Sequence, residues 1–221
     1  LVGSEMCIRD RFCDGELLPT DDVTAEMAKL TENSFRDVNI AFANELSIIS
    51  DKLGIDVWEL IDLANHHPRV NILQPGPGVG GHCIAVDPWF IVSSDPENSR
   101  IIRTAREIND GKPKWVLSKV DEAVHAKPNS TIAVLGLAFK ANIDDLRESP
   151  SLKIAEDIAS NFGDNRVLAV EPNVAELPSS LSEFENVELA EVEKAVESAD
   201  VIVLLVDHNE FVDLWGPEMT N

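Results

Sequence analysis

Residues 131–138 read TIAVLGLA, and this short apolar run, rich in β-branched side chains, decides the fold class. Such a run is typical of a buried strand in a parallel sheet. Two further runs of this kind follow, RVLAVEP at 166–172 and VIVLLVDH at 201–208. Between them, 151–162 has helical periodicity, and 187–199 begins as a possible short strand and continues as a helix. Strands that alternate with helices predict an α/β fold with a doubly wound parallel sheet.

The residues before this unit predict helices instead of strands. Helices are predicted over 23–53, 57–65, part of 84–93 and 97–126 from the spacing of their apolar side chains. Gly54 would end the first helix, and Pro113 would kink or break the last. We therefore divide the chain into a central helical domain at 23–127 and a Rossmann-like domain at 128–221.

The two ends of the chain are interpreted separately. Residues 1–22 show no sustained period and are interpreted as a non-native or disordered leader, in which LVGSEMCIRDR resembles read-through of a sequencing adapter. No chemistry is assigned to Cys7 or Cys13. The C-terminal end stops without an obvious terminator, so we expect the chain to be truncated at both ends.

Composition excludes several classes of protein. The chain has 221 residues with 18 basic and 40 acidic side chains, a net charge of −22, which argues against nucleic-acid binding because phosphates would be repelled. No apolar run approaches the roughly 20 residues that span a bilayer, and no signal peptide is recognisable, so neither membrane insertion nor export is expected. Three cysteines form no disulfide framework, which favours a cytoplasmic location.

The first group of candidate residues lies around a cysteine in a glycine-rich loop. Residues 74–83 read QPGPGVGGHC, and Cys83 follows a glycine pair at the start of a predicted helix, where backbone N–H groups would lower the pKa of the thiol. Asp87, one turn further on, could act as a base toward water beside Cys83. A buried structural cysteine followed by an N-terminal helix acid is the open alternative.

A second group lies on the first long helix. Lys29, Asn33 and Arg36 are separated by four and three residues and so share a helical face. A lysine and an amide can together stabilise an oxyanion or orient a water molecule. An ordinary polar stripe explains the same spacing.

The third group follows the strand at 131–138. Gly136 opens the loop, Lys140 and Arg147 bring positive charge to it, and doubly wound sheets bind ligands at the carboxyl ends of their strands. Solvent-facing charges are the alternative. Because a chain of net −22 keeps cations near its glycine-rich loops, a small anion is the expected ligand.

Other chemistries are not supported by spacing. His82 neighbours Cys83 along the backbone, and such neighbours rarely form a catalytic dyad. His66 and His67 match no metal-ligand spacing with Cys83, so no metal is expected. The dinucleotide fingerprint GxGxxG does not occur in the chain.

Several of these stretches resemble the UDP-glucose/GDP-mannose dehydrogenase family. They are KLTENSFRDVNIAFANEL, HPRVNILQPGPGVGGHCIAVDPWF, GLAFK and DDLRESPS, and together the resemblance covers about 23–215. GGHCIAVDPWF is highly specific, whereas GLAFK alone would be weak. Val86, where the glucose branch has a lysine, favours the branch that acts on UDP-N-acetyl-D-mannosamine.

The resemblance implies an enzyme that oxidises the primary alcohol of a UDP-sugar to a carboxylate with NAD, for surface polysaccharide synthesis. Cys83 would form a thiohemiacetal and then a thioester, and Asp87 would assist hydrolysis, with Lys29 and Asn33 stabilising the oxyanion and positioning water. The family's substrate contacts match Arg36, His67, Arg69, Gly80, Phe139 and Lys140. Arg147 matches a contact to NAD.

The resemblance also implies a homodimer through the central helices, in which His67 or Arg69 could act in the partner's site. This chain departs from the family because the NAD domain with GxGxxG does not occur in it, so we expect no turnover by the chain alone. The alternatives are the same chemistry on UDP-glucose or UDP-N-acetylglucosamine, and a non-catalytic nucleotide-sugar-binding or dimerisation module.

Overall fold

The computed structural model describes residues 15–127 and 129–215. In chain order the elements of these residues are α1 (Asp22–Leu53), α2 (Val57–Asn65), α3 (Asp87–Ser94), α4 (Arg100–Ala126), β1 (Ile132–Leu135), α5 (Pro150–Asn161), β2 (Val167–Val170), β3 (Val187–Leu189), α6 (Val192–Ser198), β4 (Val201–Leu204) and α7 (Asn209–Trp215). Most of the expected leader, with Cys7 and Cys13, lies outside the described residues, as does the expected truncation point at the C-terminus. Residues 15–21 form neither helix nor strand.

Helix α1 is bounded by signals that the sequence contains. The carboxylate of Asp21 accepts the backbone N–H of Thr24 at 3.0 Å and so caps the first turn. Gly54 ends the helix in the left-handed conformation at φ 67°, with its N–H directed to the carbonyls of Ser50 and Asp51, as predicted. The helix packs against α3 and α4.

Helix α4 joins the helical unit (α1–α4) to the α/β unit (β1–α7). It runs without interruption from Arg100 to Ala126 with Pro113 inside it, so of the two expectations for this proline, a kink or a break, the break was wrong. A proline removes only one N–H from the ladder, and the packing of α4 on both units outweighs that loss. The first half of α4 packs on α1, while Val120 and Val124 in its second half join the core above the sheet.

The sheet is parallel with the order β3-β2-β1-β4, which confirms the predicted α/β class. Side chains of β1 alternate between its two faces: Ile132 and Val134 pack toward α4 and α5, and Ala133 and Leu135 toward α6 and α7. Strands β1 and β4 are shorter than the predicted runs. Strand β1 ends because Gly136 turns the chain at φ 88°, where a Cβ atom would lie 2.5 Å from Cβ of Val206.

A buried polar network ties the glycine-rich loop to the helices. Arg106 on α4 is paired with Asp37 on α1 at 2.6 Å, and both side chains are fully buried. The amide of Asn109 donates to the same carboxylate at 2.8 Å, and the amide of Asn44 donates to Asn109 at 2.9 Å. Asn44 in turn accepts the N–H of Gly76 at 2.9 Å. The start of the loop is therefore fixed by the contact between α1 and α4.

No helix among residues 15–127 and 129–215 is both long enough and apolar enough to cross a membrane.

Candidate active site

The glycine-rich loop presents Cys83 to solvent as a free thiol. Its carbonyl accepts the N–H groups of Val86 and Asp87 at 3.1 and 2.8 Å, which forms a turn that leads into α3. The helix begins at Asp87, inside the predicted 84–93, so Cys83 lies four residues before it and the expectation that Cys83 stands at the start of the helix was wrong. Pro88 explains this start, because proline is favoured in the first turn of a helix.

The structure brings together two of the residues singled out from the sequence. The amide of Asn33 on α1 donates to a carboxylate oxygen of Asp87 on α3 at 2.5 Å. Asn33 is 5% exposed and Asp87 is half-buried. The hydrogen bond uses Oδ2 of Asp87, and it fixes the orientation of the carboxylate one helical turn after Cys83.

The other two residues of the predicted helical face are not part of this contact. Lys29 is paired with Glu32 at 3.3 Å, and its side chain is 64% exposed. Arg36 is exposed as well. This face of α1 is buried at Asn33, where α3 contacts it, and is exposed to solvent at Lys29 and Arg36, one turn before and one turn after. Of the three side chains predicted to share this face, only Asn33 is buried in a contact with Asp87, and Lys29 and Arg36 remain exposed.

Close packing joins the glycine-rich loop to the segment after β1. A Cβ atom on Gly80 would lie 2.6 Å from the carbonyl oxygen of Glu148 and 2.7 Å from Cδ of Pro150. One on Gly78 would lie 2.9 Å from Pro150 and 3.4 Å from Pro113 of α4. The loop can therefore reach its position only because these residues have no side chain.

The ring of Phe139 lies against the same loop. A Cβ on Gly81, whose φ is 82°, would be 3.6 Å from the ring, and one on Gly80 would be 3.0 Å from Cβ of Phe139. The next residue, Lys140, is exposed and has no carboxylate within ion-pair distance in the described part of the chain. Two of the predicted substrate contacts, Gly80 and Phe139, thus meet, and Lys140 adjoins them.

Phe139 and Lys140 line a cleft of about 1600 Å³ between the helical and α/β units. The cleft is also lined by the end of β4 and by α2, so it opens at the carboxyl edge of the parallel sheet. Ligands of doubly wound sheets bind at that edge. Its position agrees with the predicted binding edge, and its volume accommodates a nucleotide-sized ligand.

The sequence analysis missed a buried lysine that lines this cleft. Lys112 is 3% exposed, its Nζ lies 2.5 Å from the hydroxyl of Ser47, and it stands 3.7 Å above the ring of Trp115. Burial lowers the pKa of Lys112 to about 8, although the charge of Asp51 opposes that shift. The spacing of three between Lys112 and Trp115 on α4 was the only sequence signal for this contact.

Arg147 is held by an acid beside it. Its guanidinium binds Asp145 through two hydrogen bonds of 2.9 and 2.7 Å. These bonds, with a third from the backbone N–H of Arg147 at 3.0 Å, hold the pKa of Asp145 down at about 2. Asp145 therefore fixes the orientation of the Arg147 guanidinium.

His67 and Arg69 lie on the exposed turn after α2. Nδ1 of His67 accepts the backbone N–H of Arg69 at 3.3 Å. Neither residue lines the cleft, so this chain by itself does not bring these two predicted substrate contacts to the others.

A second missed feature is a buried pair formed by Glu171 after β2 and His208 after β4. Their side chains meet at 3.1 Å and both are fully buried. Burial alone would raise the pKa of Glu171, but the hydrogen bonds from His208 and from backbone N–H groups outweigh it and hold that pKa at about 2. Because 37 residues separate the two side chains, no local pattern could reveal the pair.

The same carboxylate decides how the segment after β1 can meet a ligand. In nucleotide-binding folds, backbone N–H groups at this position cradle a phosphate. Here the N–H groups of Leu137 and Ala138 both donate to Glu171, at 2.8 and 3.0 Å. The described residues therefore do not provide a dinucleotide cradle, and NAD does not fit here as it does in a GxGxxG unit.

Comparison with known proteins supplies the family. Residues 23–111 match the central domain of the UDP-glucose/GDP-mannose dehydrogenase family, and residues 133–221 match its UDP binding domain. The chain belongs to the UDP-glucose/GDP-mannose dehydrogenase family. The first match contains the motif GGHCIAVDPWF and the second contains GLAFK, so the family inferred from these motifs is confirmed.

Individual members of the family are similar along nearly the whole chain. The UDP-N-acetyl-D-mannosamine dehydrogenase of Salmonella typhi is 60% identical over 213 residues, which are 93% of this chain and 50% of that protein. The NDP-N-acetyl-D-galactosaminuronic acid dehydrogenase of Ralstonia solanacearum is 60% identical over 201 residues, 90% of this chain and 46% of that protein. The chain thus spans about half the length of these curated relatives.

Solved structures give the same result. The UDP-N-acetyl-mannosamine dehydrogenase of Staphylococcus aureus is 44% identical with a TM-score of 0.79, covering 95% of this chain and 48% of that one. The UDP-D-ManNAc dehydrogenase of Pyrococcus horikoshii is 40% identical with a TM-score of 0.79, again covering 95% and 48%. Helical and α/β units in this arrangement are therefore the family fold.

Proposed function

We propose that this chain supplies the thiol and the substrate-binding part of an NAD-dependent UDP-sugar 6-dehydrogenase that acts on UDP-N-acetyl-D-mannosamine. The observation that carries the proposal is the exposed thiol of Cys83, four residues before Asp87, whose carboxylate accepts a hydrogen bond from Asn33. The printed names of the similar proteins support the substrate class, since several are UDP-N-acetyl-D-mannosamine dehydrogenases. The uronate product would be used for surface polysaccharide.

The thiol of Cys83 would carry the covalent steps. Its thiolate adds to the C6 aldehyde of the sugar and forms a thiohemiacetal; loss of a hydride from that carbon gives a thioester. Water then attacks the thioester, which releases the carboxylate and regenerates the thiol. The first hydride leaves as the alcohol becomes the aldehyde, and the second leaves as the thiohemiacetal becomes the thioester. Over the whole reaction one alcohol and one water become a carboxylate, with release of two hydrides and three protons. NAD would accept those hydrides, and because no cradle for it is found among the described residues, we assign no hydride step to them.

Asp87 would be the base in the hydrolysis. Asn33 donates to Oδ2, which leaves Oδ1 to accept a proton from the attacking water. Lys29 would stabilise the oxyanion, but it can do so only by exchanging Glu32 for the substrate. The exposed position of Lys29 allows that exchange.

Phe139 and Lys140 would bind the nucleotide sugar at the cleft, together with Gly80, which packs against Phe139. Arg36, His67 and Arg69 are proposed as further contacts, and the exposed positions of His67 and Arg69 suit contributions to the site of a second subunit. Arg147 is proposed as an NAD contact at the rim, in which case its ion pair with Asp145 would orient the guanidinium.

We also propose that the chain forms a homodimer through α1. Phe35, Phe42 and Ile49 recur at seven-residue intervals on this helix, and all three are exposed. Apolar residues at a heptad spacing form a continuous seam along a helix, and such a seam is typical of helix pairing.

Alkylation of Cys83 tests the proposed chemistry. In a chain carrying Cys7→Ser and Cys13→Ser, iodoacetamide is expected to modify Cys83, and UDP-N-acetyl-D-mannosamine is expected to slow that modification more than UDP does. UDP-glucose and UDP-N-acetylglucosamine serve as the competing sugars, and Cys83→Ser is the control for labelling. Mass spectrometry of the modified protein measures the rate.

Each outcome distinguishes between functions. Stronger protection by one of the competing sugars would reassign the substrate. If the chain binds UDP-sugars but iodoacetamide does not modify its Cys83, the result would support a non-catalytic binding module instead. Steady NADH formation by the chain alone would contradict our assignment of the hydride steps to other residues.

A further inference from the structure

We propose that Glu171 and His208 are positioning residues that hold residues 137–142 in the conformation that receives the nucleotide. This segment carries Phe139 and Lys140. The inference rests on the proposed function, because the ligand is the UDP part of the proposed substrate. It adds two residues that act through the loop and do not themselves touch the ligand.

Glu171 fixes the beginning of the segment. Its Oε2 accepts the N–H groups of Leu137 and Ala138, at 2.8 and 3.0 Å. Its Oε1 accepts the backbone N–H of Asn173 at 3.1 Å, which locks the carboxylate against rotation. Carboxylates hydrogen-bonded to several backbone donors form strong contacts in a buried environment.

His208 fixes the end of the segment. Its Nδ1 accepts the backbone N–H of Asn142 at 3.0 Å, and its Nε2 faces Glu171 at 3.1 Å. A ring nitrogen that accepts from an N–H carries a lone pair, which assigns the proton to Nε2. Asn142 itself lies in the left-handed region at φ 61°, and its side-chain oxygen accepts the N–H of Asn209 at 2.9 Å.

Between these two anchors lie the side chains that would meet the ligand. Phe139 is held against the cysteine loop, and Lys140 stands at the cleft with no ion pair in the described part of the chain. Because the backbone N–H groups of Leu137 and Ala138 are already bonded to Glu171, the loop would bind UDP through side chains. Fixing the loop before binding removes the cost of ordering it, so the anchors contribute to affinity.

The test compares two substitutions of His208. In His208→Asn the side-chain oxygen can stand where Nδ1 stands and accept the N–H of Asn142. In His208→Gln the polar group lies at the position of Nε2 and loses that contact. We expect His208→Asn to bind UDP within about twofold of the wild-type chain, and His208→Gln to bind about tenfold more weakly. Titration calorimetry with UDP measures both, and His125→Gln on the exposed face of α4 is the matched control.

A double variant separates positioning from a general loss of stability. Lys140→Ala is expected to weaken UDP binding about tenfold in the wild-type chain, but less than about twofold in His208→Gln, because the lysine is no longer held at the ligand. Should His208→Gln fail to fold, Asn209→Ala loosens the same end of the loop from the surface, because it removes the side-chain oxygen that accepts from the amide of Asn142 at 3.2 Å. That variant is expected to show the same non-additivity with Lys140→Ala.

The results distinguish this proposal from the one on which it rests. If the wild-type chain does not bind UDP, the proposed function fails and this inference fails with it. If it binds UDP and the effects of His208→Gln and Lys140→Ala add, or if both His208 variants bind like the wild type, the proposed function stands and the positioning role is overturned.

Discussion

Glu171 is a residue whose charge is kept inside the protein by donors on three segments of chain. Burial favours the neutral acid, yet His208 and the N–H groups of Leu137, Ala138 and Asn173 all favour the carboxylate. The second effect prevails, since the pKa of Glu171 is lowered from 4.5 to about 2. A group with a lowered folded-state pKa stabilises the fold above its unfolded pKa, and this stabilisation is lost as the pH falls toward the folded value.

Glu171→Gln should therefore change the acid dependence of stability. At pH 7 the variant is expected to be less stable than the wild-type chain, because the amide nitrogen cannot accept a hydrogen bond and cannot satisfy the donors that face the carboxylate. The difference should shrink as the pH falls from about 4.5 toward 2, where the wild-type chain loses the contribution of the carboxylate. Urea unfolding followed by circular dichroism at a series of pH values measures it. Glu197→Gln, an exposed change on α6, is the control, and a pH-independent difference would contradict the argument.

At the scale of elements, the glycine-rich loop is held between α4 and the start of α5. Its glycines approach Pro113 on one side and Pro150 and Glu148 on the other. The loop has neither helical nor strand hydrogen bonds, so these contacts and the bond from Gly76 to Asn44 define its shape. The position of Cys83 thus depends on elements far from it in sequence.

Gly80→Ala tests this dependence. The added Cβ would lie 2.6 Å from a backbone oxygen, so the loop or the segment at 148–150 must move, and we expect a loss of about 1–3 kcal/mol in unfolding free energy. Alkylation of Cys83 should change in rate as well. Gly111→Ala is the matched control: it lies inside α4 with open space around its Cβ, and we expect a gain of about 0.5–1 kcal/mol. Equal stability of the two variants would contradict the packing argument.

Local sequence patterns predicted the helices and strands, but features that depend on long-range contacts could not be predicted from the sequence. The order of helices and strands followed from apolar periodicity and from β-branched runs such as IAVL, and Gly54 marked the end of α1 correctly. The continuity of α4 through Pro113 could not be predicted, because tertiary packing overrides a local breaker.

The candidate site divides in the same way. The motif GGHCIAVD sets Cys83 and Asp87 four residues apart, and the structure joins Asn33 to Asp87 by a hydrogen bond that the motif does not contain. Lys29 and Arg36 share the helical face with Asn33 by spacing, but which part of a face is covered depends on a partner helix that spacing does not reveal. The pair of Glu171 and His208 has no local signal, because its two residues come from the ends of different strands.

At the scale of the whole molecule, one side of α1 stays uncovered by the rest of the described chain. The other side is buried against α3 and α4, so the exposed apolar stripe at 35, 42 and 49 has no function in the fold of the single chain. Exposed apolar seams of this kind mark association surfaces in soluble proteins.

Phe35→Glu is expected to convert the proposed dimer into a monomer without unfolding it. A charge within the seam would be desolvated on association, whereas it stays hydrated in the free chain. Sedimentation velocity measures the oligomeric state. Leu63→Glu, on an exposed apolar side chain of α2, is the control and should leave the dimer intact. A wild-type chain that sediments as a monomer at all concentrations would contradict the dimer proposal.

The position of Gly78 between Pro113 and Pro150 determines when the glycine-rich loop can form during biosynthesis. Ribosomes release the chain from its N-terminus, so Cys83 emerges 67 residues before Pro150, the second wall of its loop. Until the α/β unit has folded and docked, the loop lacks that wall, and the thiol is present without its arranged surroundings. Reactivity of Cys83 that depends on this loop can therefore arise only after Pro150 has been synthesised and the α/β unit has docked on the helical unit.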